Sequence, residues 1–359
     1  MASSRAKSII TFIPRAKVRG ISRGIKSGRT DKIEKAQALR LAYFMETIPL
    51  NVLIFNCGSS SLTYKIFQVR NSTVCKVVSS GKAHRVGVKG TRSSFIEHRF
   101  KNKPYKKEVA IQNHRQAATL ILEYIQDKGI KIDCIGHRFV HGGNQFTKSV
   151  FLDKNTLRKL LLCLPLAPIH NPISLGVIHE SRKTFPDLPQ YVTFDSAFHS
   201  TIPSYAYTYA LPEKIIKKYG FRKYGFHGLS YSYVAKMVPE FLGKSAKNLK
   251  IVACHLGTGG SSVVAIKNER SVDTSMGYSP LSGLMMSTRC GDIDPMLMTY
   301  LMNAYGYRPD ELMDILNKKS GLLGISGFSS DITDILHRIY GKKDIERAKL
   351  AFNMYTHRL

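Results

Sequence analysis

Two arginines lie in glycine-containing segments that are suited to holding an anion. Arg138 is part of G-H-R-F-V-H-G-G at Gly136–Gly143, and Arg289 is part of M-S-T-R-C-G-D-I-D-P at Met286–Pro295. A guanidinium group binds a carboxylate or a phosphate through two parallel N–H···O bonds. The alternative for Arg138 is a structural role, with its alkyl stem lying over apolar surface. Both arginines are therefore candidate substrate-binding and catalytic residues.

Three further motifs contribute two histidines and an aspartate. His170 lies between prolines in L-A-P-I-H-N-P, His227 lies between glycines in Y-G-F-H-G, and Asp195 begins the D-S-A-F-H segment after an apolar run. An aspartate at the end of a strand is well placed to hold magnesium through water or to orient a base. The structural alternatives are a hydrogen-bonded histidine for His170 and a helix N-cap for Asp195.

A short glycine- and hydroxyl-rich turn between two apolar strands occurs twice. The first copy is Asn51–Phe67, with the turn N-C-G-S-S-S, and the second is Lys250–Ile266, with the turn H-L-G-T-G-G-S-S. Small side chains allow backbone N–H groups to approach an anion closely, although such turns also occur as ordinary hairpin connections. Two matching copies suggest duplicated halves that face one phosphorylated ligand.

Together these residues are suited to phosphoryl transfer. That reaction needs positive charge, a metal ion and alignment of the reacting groups, and little covalent help from the protein. The sequence contains no G-x-x-x-x-G-K-[ST] and no G-x-G-x-x-G, which argues against a P-loop or a dinucleotide site.

The composition is that of a soluble globular protein with an unusual excess of positive charge. The 359 residues leave room for two domains, and the formal net charge is +29. The six cysteines form no C-x-x-C pair, which favours a reducing cytoplasm over a disulfide scaffold. No apolar run has the length of a membrane span. Nucleic-acid binding remains a competing hypothesis, but no zinc-finger or RNP-type motif supports it.

The alternation of strand and helix patterns predicts an α/β fold. The predicted strands occupy both arms of the first turn, both arms of the second, and Val74–Val78, Lys107–Ile111, Ile132–Val140 and Tyr191–Phe194. The predicted helices are Arg115–Lys128, Asn155–Cys163, Ser174–Lys183, Glu213–Lys218, Ser230–Phe241, Asp294–Ala304, Asp310–Lys318, Asp331–Tyr340 and Ile345–Arg358.

The two ends of the chain differ from the rest of the pattern. Residues 1–30 hold eight Lys or Arg and no acidic residue, and we expect residues 1–48 to be a dispensable basic extension or the result of a misplaced start. A transit peptide has a similar composition. At the other end, Leu359 follows a helical pattern without a glycine cap, so we expect a truncated second domain.

The ordered motifs closely resemble those of the acetate kinase family over about residues 50–359. The motifs that carry the resemblance are N-C-G-S-S-S-L, G-H-R-x-V-H-G-G, L-A-P-x-H-N-P, F-D-x-A-F-H, Y-G-F-H-G, H-L-G-x-G-G-S, V-D-T-S-M-G and T-R-x-G-D-I-D-P. The resemblance implies two duplicated actin-like (ribonuclease H-like) domains around a nucleotide cleft, at 49–195 and 196–359, with the second incomplete. It implies reversible transfer of phosphate from ATP to acetate with Mg²⁺ or Mn²⁺, usually in a homodimer. From the composition and the missing motifs we expect a cytoplasmic protein that binds neither nucleic acid nor membrane.

The resemblance also assigns roles to residues. It implies that Arg138 and Arg289 bind the carboxylate and the phosphoryl group, and that His227 stabilises the transition state. His170 matches a second active-site histidine, and Asp195 matches the essential aspartate near magnesium. On the nucleotide and metal side the matching residues are Asn56 as a metal ligand, Ser59, Ser61, His255, Leu256, Gly257, Thr258, Gly259, Gly260, Asp331, Ile332 and Thr333.

Five positions depart from the family pattern. Thr63 stands where a lysine is usual, and Thr258 replaces an asparagine. Leu229 and Tyr231 replace the threonine and the histidine of G-T-S-H, and Thr333 replaces an arginine. Most of these departures fall on the nucleotide side. A propionate or butyrate kinase of the same family, and a truncated and catalytically inactive remnant, stay open as alternatives to an acetate kinase.

Overall fold

The computed structural model describes residues 49–70, 73–88, 93–341 and 345–359. The expectations for residues 1–48 lie outside this range. The chain separates into two compact units, with the division between Ala197 and Phe198 in a 3₁₀ turn, Ala197–Thr201. Within the described ranges, no helix combines the length and apolar character that crossing a membrane requires.

The first unit is built on one mixed sheet of eight strands. The strands are β1 Leu50–Cys57, β2 Ser61–Arg70, β3 Thr73–His84, β4 Phe95–Phe100, β5 Lys103–Glu108, β6 Cys134–Phe139, β7 Val150–Phe151 and β8 Gln190–Phe194. Their order across the sheet is β5-β4-β3-β2-β1-β6-β8-β7. Strands β1 to β5 pair antiparallel, β1, β6 and β8 pair parallel, and β7 returns antiparallel on β8.

The parallel centre of this sheet determines where polar side chains meet. Strands β1, β6 and β8 run in the same direction, so their carboxyl ends lie at one edge. Asn56 is near the end of β1, Arg138 is near the end of β6, and Asp195 directly follows β8. Each strand therefore delivers one polar side chain to that edge.

Helices cover one face of the sheet of the first unit. They are α1 His114–Asp127, α2 Lys154–Leu162 and α3 Asn171–Thr184, with a 3₁₀ turn at Leu164–Leu166. Side chains of α1 such as Ile121 and Ile125 pack with Phe55, Leu62 and Ile66 from β1 and β2 in one buried cluster. The apolar residues recur on one side of α1 at helical spacing, which is why this helix buries that side.

The second unit has a three-stranded antiparallel sheet and eight helices among its described residues. The strands are β9 Lys250–Gly257, β10 Gly260–Lys267 and β11 Arg270–Thr274, with β10 in the middle. The helices are α4 Ser204–Tyr207, α5 Glu213–Tyr219, α6 Gly228–Leu242, α7 Pro295–Tyr305, α8 Pro309–Asp314, α9 Gly321–Ser326, α10 Ile332–Tyr340 and α11 Ile345–Arg358. The turn between β9 and β10 is the second glycine-rich turn.

The predicted α/β class is confirmed, but one predicted strand lies elsewhere and one predicted helix is divided. A strand was predicted at Lys107–Ile111, but the observed strand, β5, is Lys103–Glu108. All six of its residues are exposed. Apolar Ile111 packs in the core beyond the strand, so hydrophobicity pointed to the wrong residues. The helix predicted at Asp310–Lys318 divides into α8 and a π-helical turn, Ile315–Lys319, in which the ammonium groups of two lysines lie 2.8 Å from the Asp314 carboxylate.

Candidate active site

In the first unit, Asn56, Arg138 and Asp195 form one hydrogen-bonded cluster. Nε of Arg138 donates to Oδ1 and Oδ2 of Asp195 at 3.0 and 3.1 Å, and Nη2 donates to Oδ2 at 2.5 Å. Nη1 of Arg138 donates to Oδ1 of Asn56 at 2.9 Å and to the carbonyl oxygen of Cys57 at 3.3 Å. The structure therefore brings together three residues that the sequence analysis selected separately.

The cluster is largely shielded from water. The side chains of Arg138 and Asp195 are 12% and 4% exposed. Burial alone would lower the pKa of Arg138, but the charge of Asp195 and its hydrogen bonds outweigh burial and raise the pKa. The guanidinium group is thus charged and fixed in orientation by Asp195 and Asn56.

The first glycine-rich turn adjoins this cluster in sequence. The N–H of Gly58 donates to the carbonyl oxygen of Ser61 at 2.8 Å, and Nε2 of His114 lies 2.8 Å from the carbonyl oxygen of Gly58. A Cβ atom on Gly58 would lie 2.8 Å from Oγ of Ser61, so a larger residue here would require the Ser61 side chain to move. Ser59 is exposed at the tip of the turn and Ser61 is partly buried at the start of β2.

The oxygen donors of this cluster fit a magnesium ion that keeps most of its water. Mg²⁺ is commonly held by one or two carboxylates together with substrate phosphates and water. Asp195 supplies one carboxylate and Asn56 one amide oxygen. Among the described residues, this cluster included, no group of three or more His, Cys, Asp or Glu side chains is arranged to hold a metal ion.

In the second unit, the glycine-rich turn lies beside Arg289 and His227. A Cβ atom on Gly260 would lie 3.2 Å from Nη1 of Arg289 and 3.4 Å from Nε2 of His227. Gly260 has φ of +146°, a conformation that other residues rarely adopt. The missing side chain is therefore what allows the turn, the guanidinium and the imidazole to approach each other.

Arg289 has no ion-pair partner in the described residues. Its Nη1 donates to the carbonyl oxygen of Pro280 at 3.3 Å, and burial lowers its pKa. This is the opposite of Arg138, whose charge is balanced by Asp195. A partly buried cation without a counter-ion is costly, and an anionic ligand removes that cost. Arg289 is therefore a candidate anion site.

His227 is held by contacts on two sides. It has φ of +59° at the N-cap position of α6, and its Nδ1 lies 2.8 Å from Oγ of Ser262. Its ring stacks on that of His255 at a centroid distance of 4.1 Å, and Nδ1 of His255 lies 3.1 Å from Oγ of Ser230. Ser262 was not among the residues predicted from the sequence. The one feature that could have pointed to it is its position shortly after Gly259 and Gly260 in the second turn.

The remaining predicted nucleotide residues are placed as follows. Leu256 and Gly257 end β9, and Thr258 and Gly259 form the exposed tip of the turn. Oδ1 of Asp331 accepts from the N–H of Thr333 at 2.8 Å, so this carboxylate caps α10. Ile332 packs against the apolar cluster around Leu322. The helix cap explains Asp331 structurally, and its nucleotide role stays a prediction.

His170 lies in the first unit at the N-terminus of α3. It occupies the N-cap position with φ of −106°, and its side chain makes no capping bond. The neighbouring Asn171 is buried, and its Nδ2 donates to the carbonyl oxygens of His141 and Cys163. The motif thus anchors the start of α3 through Asn171, which leaves the imidazole of His170 partly exposed.

Comparison with known proteins gives a consistent result. The model of the acetokinase family matches residues 51–359. The acetate kinase of Thermoanaerobacter pseudethanolicus is 42% identical over 318 residues, which are 86% of this chain and 77% of that protein. The crystal structure of acetate kinase from Entamoeba histolytica superposes with a TM-score of 0.77 and 48% identity, over 86% of this chain and 76% of that one. The crystal structure of a propionate kinase from Francisella tularensis superposes with a TM-score of 0.78 and 35% identity, over 86% of this chain and 78% of that one.

Proposed function

The chain belongs to the acetokinase family, and from that premise we propose that it is an acetate kinase, which transfers the γ-phosphoryl group of ATP reversibly to acetate. The observation that carries the proposal is the partly buried Arg289, which has no carboxylate partner in the described residues and adjoins His227 and the glycine turn. Such a group is suited to bind an anion whose charge changes during the reaction.

The reaction needs little proton chemistry from the protein. Acetate is already ionised at neutral pH, so one of its carboxylate oxygens attacks the γ-phosphorus without a general base. A new O–P bond forms while the bond from phosphorus to the bridging oxygen of ADP breaks, and ADP leaves with that electron pair. The protein contributes alignment and positive charge, and these are the main requirements of phosphoryl transfer.

We assign the charged residues as follows. Arg289 and His227 stabilise the negative charge of the phosphoryl oxygens in the transition state, and Arg138 binds the acid. The pairing of Arg138 with Asp195 and Asn56 fixes the direction of its guanidinium group. His170 is the second active-site histidine of this proposal.

Magnesium and the nucleotide complete the proposed reaction. Asn56 and Asp195, the latter through water, would hold the ion, which when bound neutralises phosphate charge. Ser59 and Ser61 in the first turn and His255 to Gly260 in the second would bind the nucleotide phosphates through N–H and hydroxyl groups. Asp331, Ile332 and Thr333 would lie on the adenosine side.

The direct experiment is a hydroxamate assay for acyl phosphate. Purified protein is incubated with ATP, magnesium and acetate, and hydroxylamine traps any acetyl phosphate. Formation that depends on acetate and stops with a chelator supports the proposal. No acetyl phosphate, in either direction of the reaction, would instead support an inactive remnant.

The length of the acid is a separate question, since one solved relative is a propionate kinase. One methylene group changes binding by only about 1–3 kcal/mol in an apolar pocket. We propose acetate as the main substrate because both acetate kinases reported above are more than 40% identical to this chain. Values of kcat/KM for acetate, propionate and butyrate decide the matter, and a higher value for propionate would reverse the assignment.

We also propose that the protein works as a cytoplasmic homodimer. Helix α7 supports this because it has no buried residue, and Met296, Leu297 and Tyr300 are 64%, 52% and 59% exposed. A second copy of the chain would cover this apolar surface. Sedimentation should give a dimer that Leu297→Lys weakens, whereas Phe241→Lys, at an exposed apolar site on α6, leaves it intact. A monomer in both cases would contradict the assembly.

A further inference from the structure

A buried chain of three hydrogen-bonded side chains ends at His227. The hydroxyl of Tyr231 lies 2.7 Å from the carbonyl oxygen of Ser262 and 2.5 Å from Oγ of the same serine. That Oγ lies 2.8 Å from Nδ1 of His227. Tyr231 is 1% exposed and Ser262 is 0% exposed, so water does not compete for these bonds.

The direction of each bond follows from counting protons. A carbonyl oxygen only accepts, so the tyrosine must donate its single proton to the carbonyl of Ser262. Burial raises the pKa of Tyr231, which keeps that proton in place. The Oγ–H of Ser262 then donates to the tyrosine oxygen, and the lone pairs of Oγ accept from His227. This arrangement of donors assigns the proton between Ser262 and His227 to Nδ1 of the imidazole.

The other ring nitrogen is the one that faces the candidate anion site. Nε2 of His227 lies 3.4 Å from the Cβ position of Gly260, and Nη1 of Arg289 lies 3.2 Å from the same point. With Nδ1 already protonated, any additional proton on the ring must go to Nε2. The imidazolium would then donate N–H to a phosphoryl oxygen, while the neutral ring would present a lone pair to it.

We propose that Tyr231 and Ser262 are positioning residues that hold His227 in the Nδ1–H form, so that Nε2 takes up a proton when a phosphate group binds beside Arg289. This inference rests on the proposed function for its catalytic meaning, but the protonation state is a property of the protein itself. Both residues are buried and act through the imidazole.

The groups around His227 set how proton uptake depends on pH. Arg289 repels a second positive charge, and the stacked ring of His255 on β9 is itself titratable. From α6 comes Tyr231, which is neutral, and from β10 come Ser262 and Gly260, which carry no charge. A bound phosphate adds negative charge at this place and so favours the imidazolium.

The decisive experiment observes the ring nitrogens by ¹H–¹⁵N NMR. The signals of His227 are assigned with His227→Gln, and inorganic phosphate is the probe. We expect the Nδ1–H form without phosphate at pH 7.5, and a change of Nε2 towards the protonated shift as phosphate is added. An Nε2–H form without phosphate, or an Nε2 shift that phosphate leaves unchanged, would overturn the proposal.

Two substitutions test whether Tyr231 and Ser262 set the tautomer of His227. Tyr231→Phe removes the oxygen that accepts from Ser262, so the serine is free to donate to Nδ1 and the Nδ1–H form should lose its preference. Ser262→Ala removes the acceptor of the Nδ1 proton and should lower kcat about tenfold, the scale of one hydrogen bond to a charged group. The KM for acetate should change less than twofold.

Controls separate these effects from folding and from the function itself. Tyr233→Phe removes a hydroxyl two residues along α6, and we expect it to leave kcat and the His227 tautomer unchanged. If Ser262→Ala does not fold, the NMR spectra of the parent and of Tyr231→Phe still show whether these residues set the His227 tautomer. If the parent makes no acetyl phosphate, the proposed function fails, whereas the tautomer result stands by itself.

Discussion

The guanidinium group of Arg138 is bound to the carboxylate of Asp195 through Nε and Nη2, at distances of 2.5 to 3.1 Å, in a site nearly closed to water. Arg138 lies on β6, and Asp195 directly follows the parallel neighbouring strand β8. The arrangement links the stability of the first unit to the orientation of its proposed acid-binding residue.

Removing the charge of Asp195 should therefore be costly. Asp195→Asn leaves the buried guanidinium unbalanced, and we expect a loss of about 3–5 kcal/mol in the free energy of unfolding. Urea denaturation measures this change. Glu213→Gln, which removes the partner of Lys217 in an exposed ion pair, is the control and should cost about 1 kcal/mol or less. Equal effects of the two substitutions would contradict the buried pairing.

Arg289 should matter for catalysis and not for stability. Arg289→Ala removes an unpaired charge, so folding should be unaffected or improved, while kcat for acetyl phosphate formation falls by at least about a hundredfold. Arg289→Lys keeps the charge without the planar fork and should recover activity only in part. Steady-state kinetics measure these effects, with exposed Arg308→Ala as the control. Activity within a few-fold of the parent would remove Arg289 from the mechanism.

Gly260 should tolerate no side chain. Gly260→Ala forces an unfavourable φ and places a methyl group against Arg289 and His227, so we expect a lower melting temperature and a loss of kcat. At Gly259→Ala the methyl group would meet, apart from its own chain neighbours, no heavy atom of the described residues within 4 Å, and the melting temperature should change much less. Thermal unfolding of both variants provides the comparison, and similar shifts would contradict the close approach at Gly260.

Several of these residues could be selected from the sequence because their signals were local. A stretch of fewer than ten residues is enough to recognise the glycines of both turns, the strand before Asp195 and the arginines in glycine-containing motifs. Strand β4 was missed because one of its two inward-facing residues is His98, which breaks the apolar alternation. The contact of Ser262 with Tyr231 joins residues 31 apart on β10 and α6, and no spacing rule connects them.

Acid should weaken folding through buried histidines. Burial lowers the pKa of His137 to about 4, although its hydrogen bond to Gln190 opposes the shift. Between about pH 6.5 and pH 4 the unfolded chain then binds more protons than the folded chain, so stability falls as the pH falls. A shift of this size corresponds to about 3 kcal/mol when complete.

Urea denaturation between pH 7.5 and pH 4.5 measures this dependence. His137→Gln keeps a hydrogen-bonding amide but cannot titrate, and it should flatten the slope of stability against pH. His179→Gln, which removes an exposed histidine on α3, is the matched control for loss of an imidazole. An unchanged slope in His137→Gln would show that His137 is not the buried group responsible.

The most direct test of the account is whether the protein makes acetyl phosphate. With ATP, magnesium and acetate, we expect hydroxamate to form in the parent protein, to be lost with a chelator, and to fall at least about a hundredfold in Arg289→Ala while Arg308→Ala stays active. A folded parent protein that forms no acyl phosphate, or an Arg289→Ala variant as active as the parent, would contradict it.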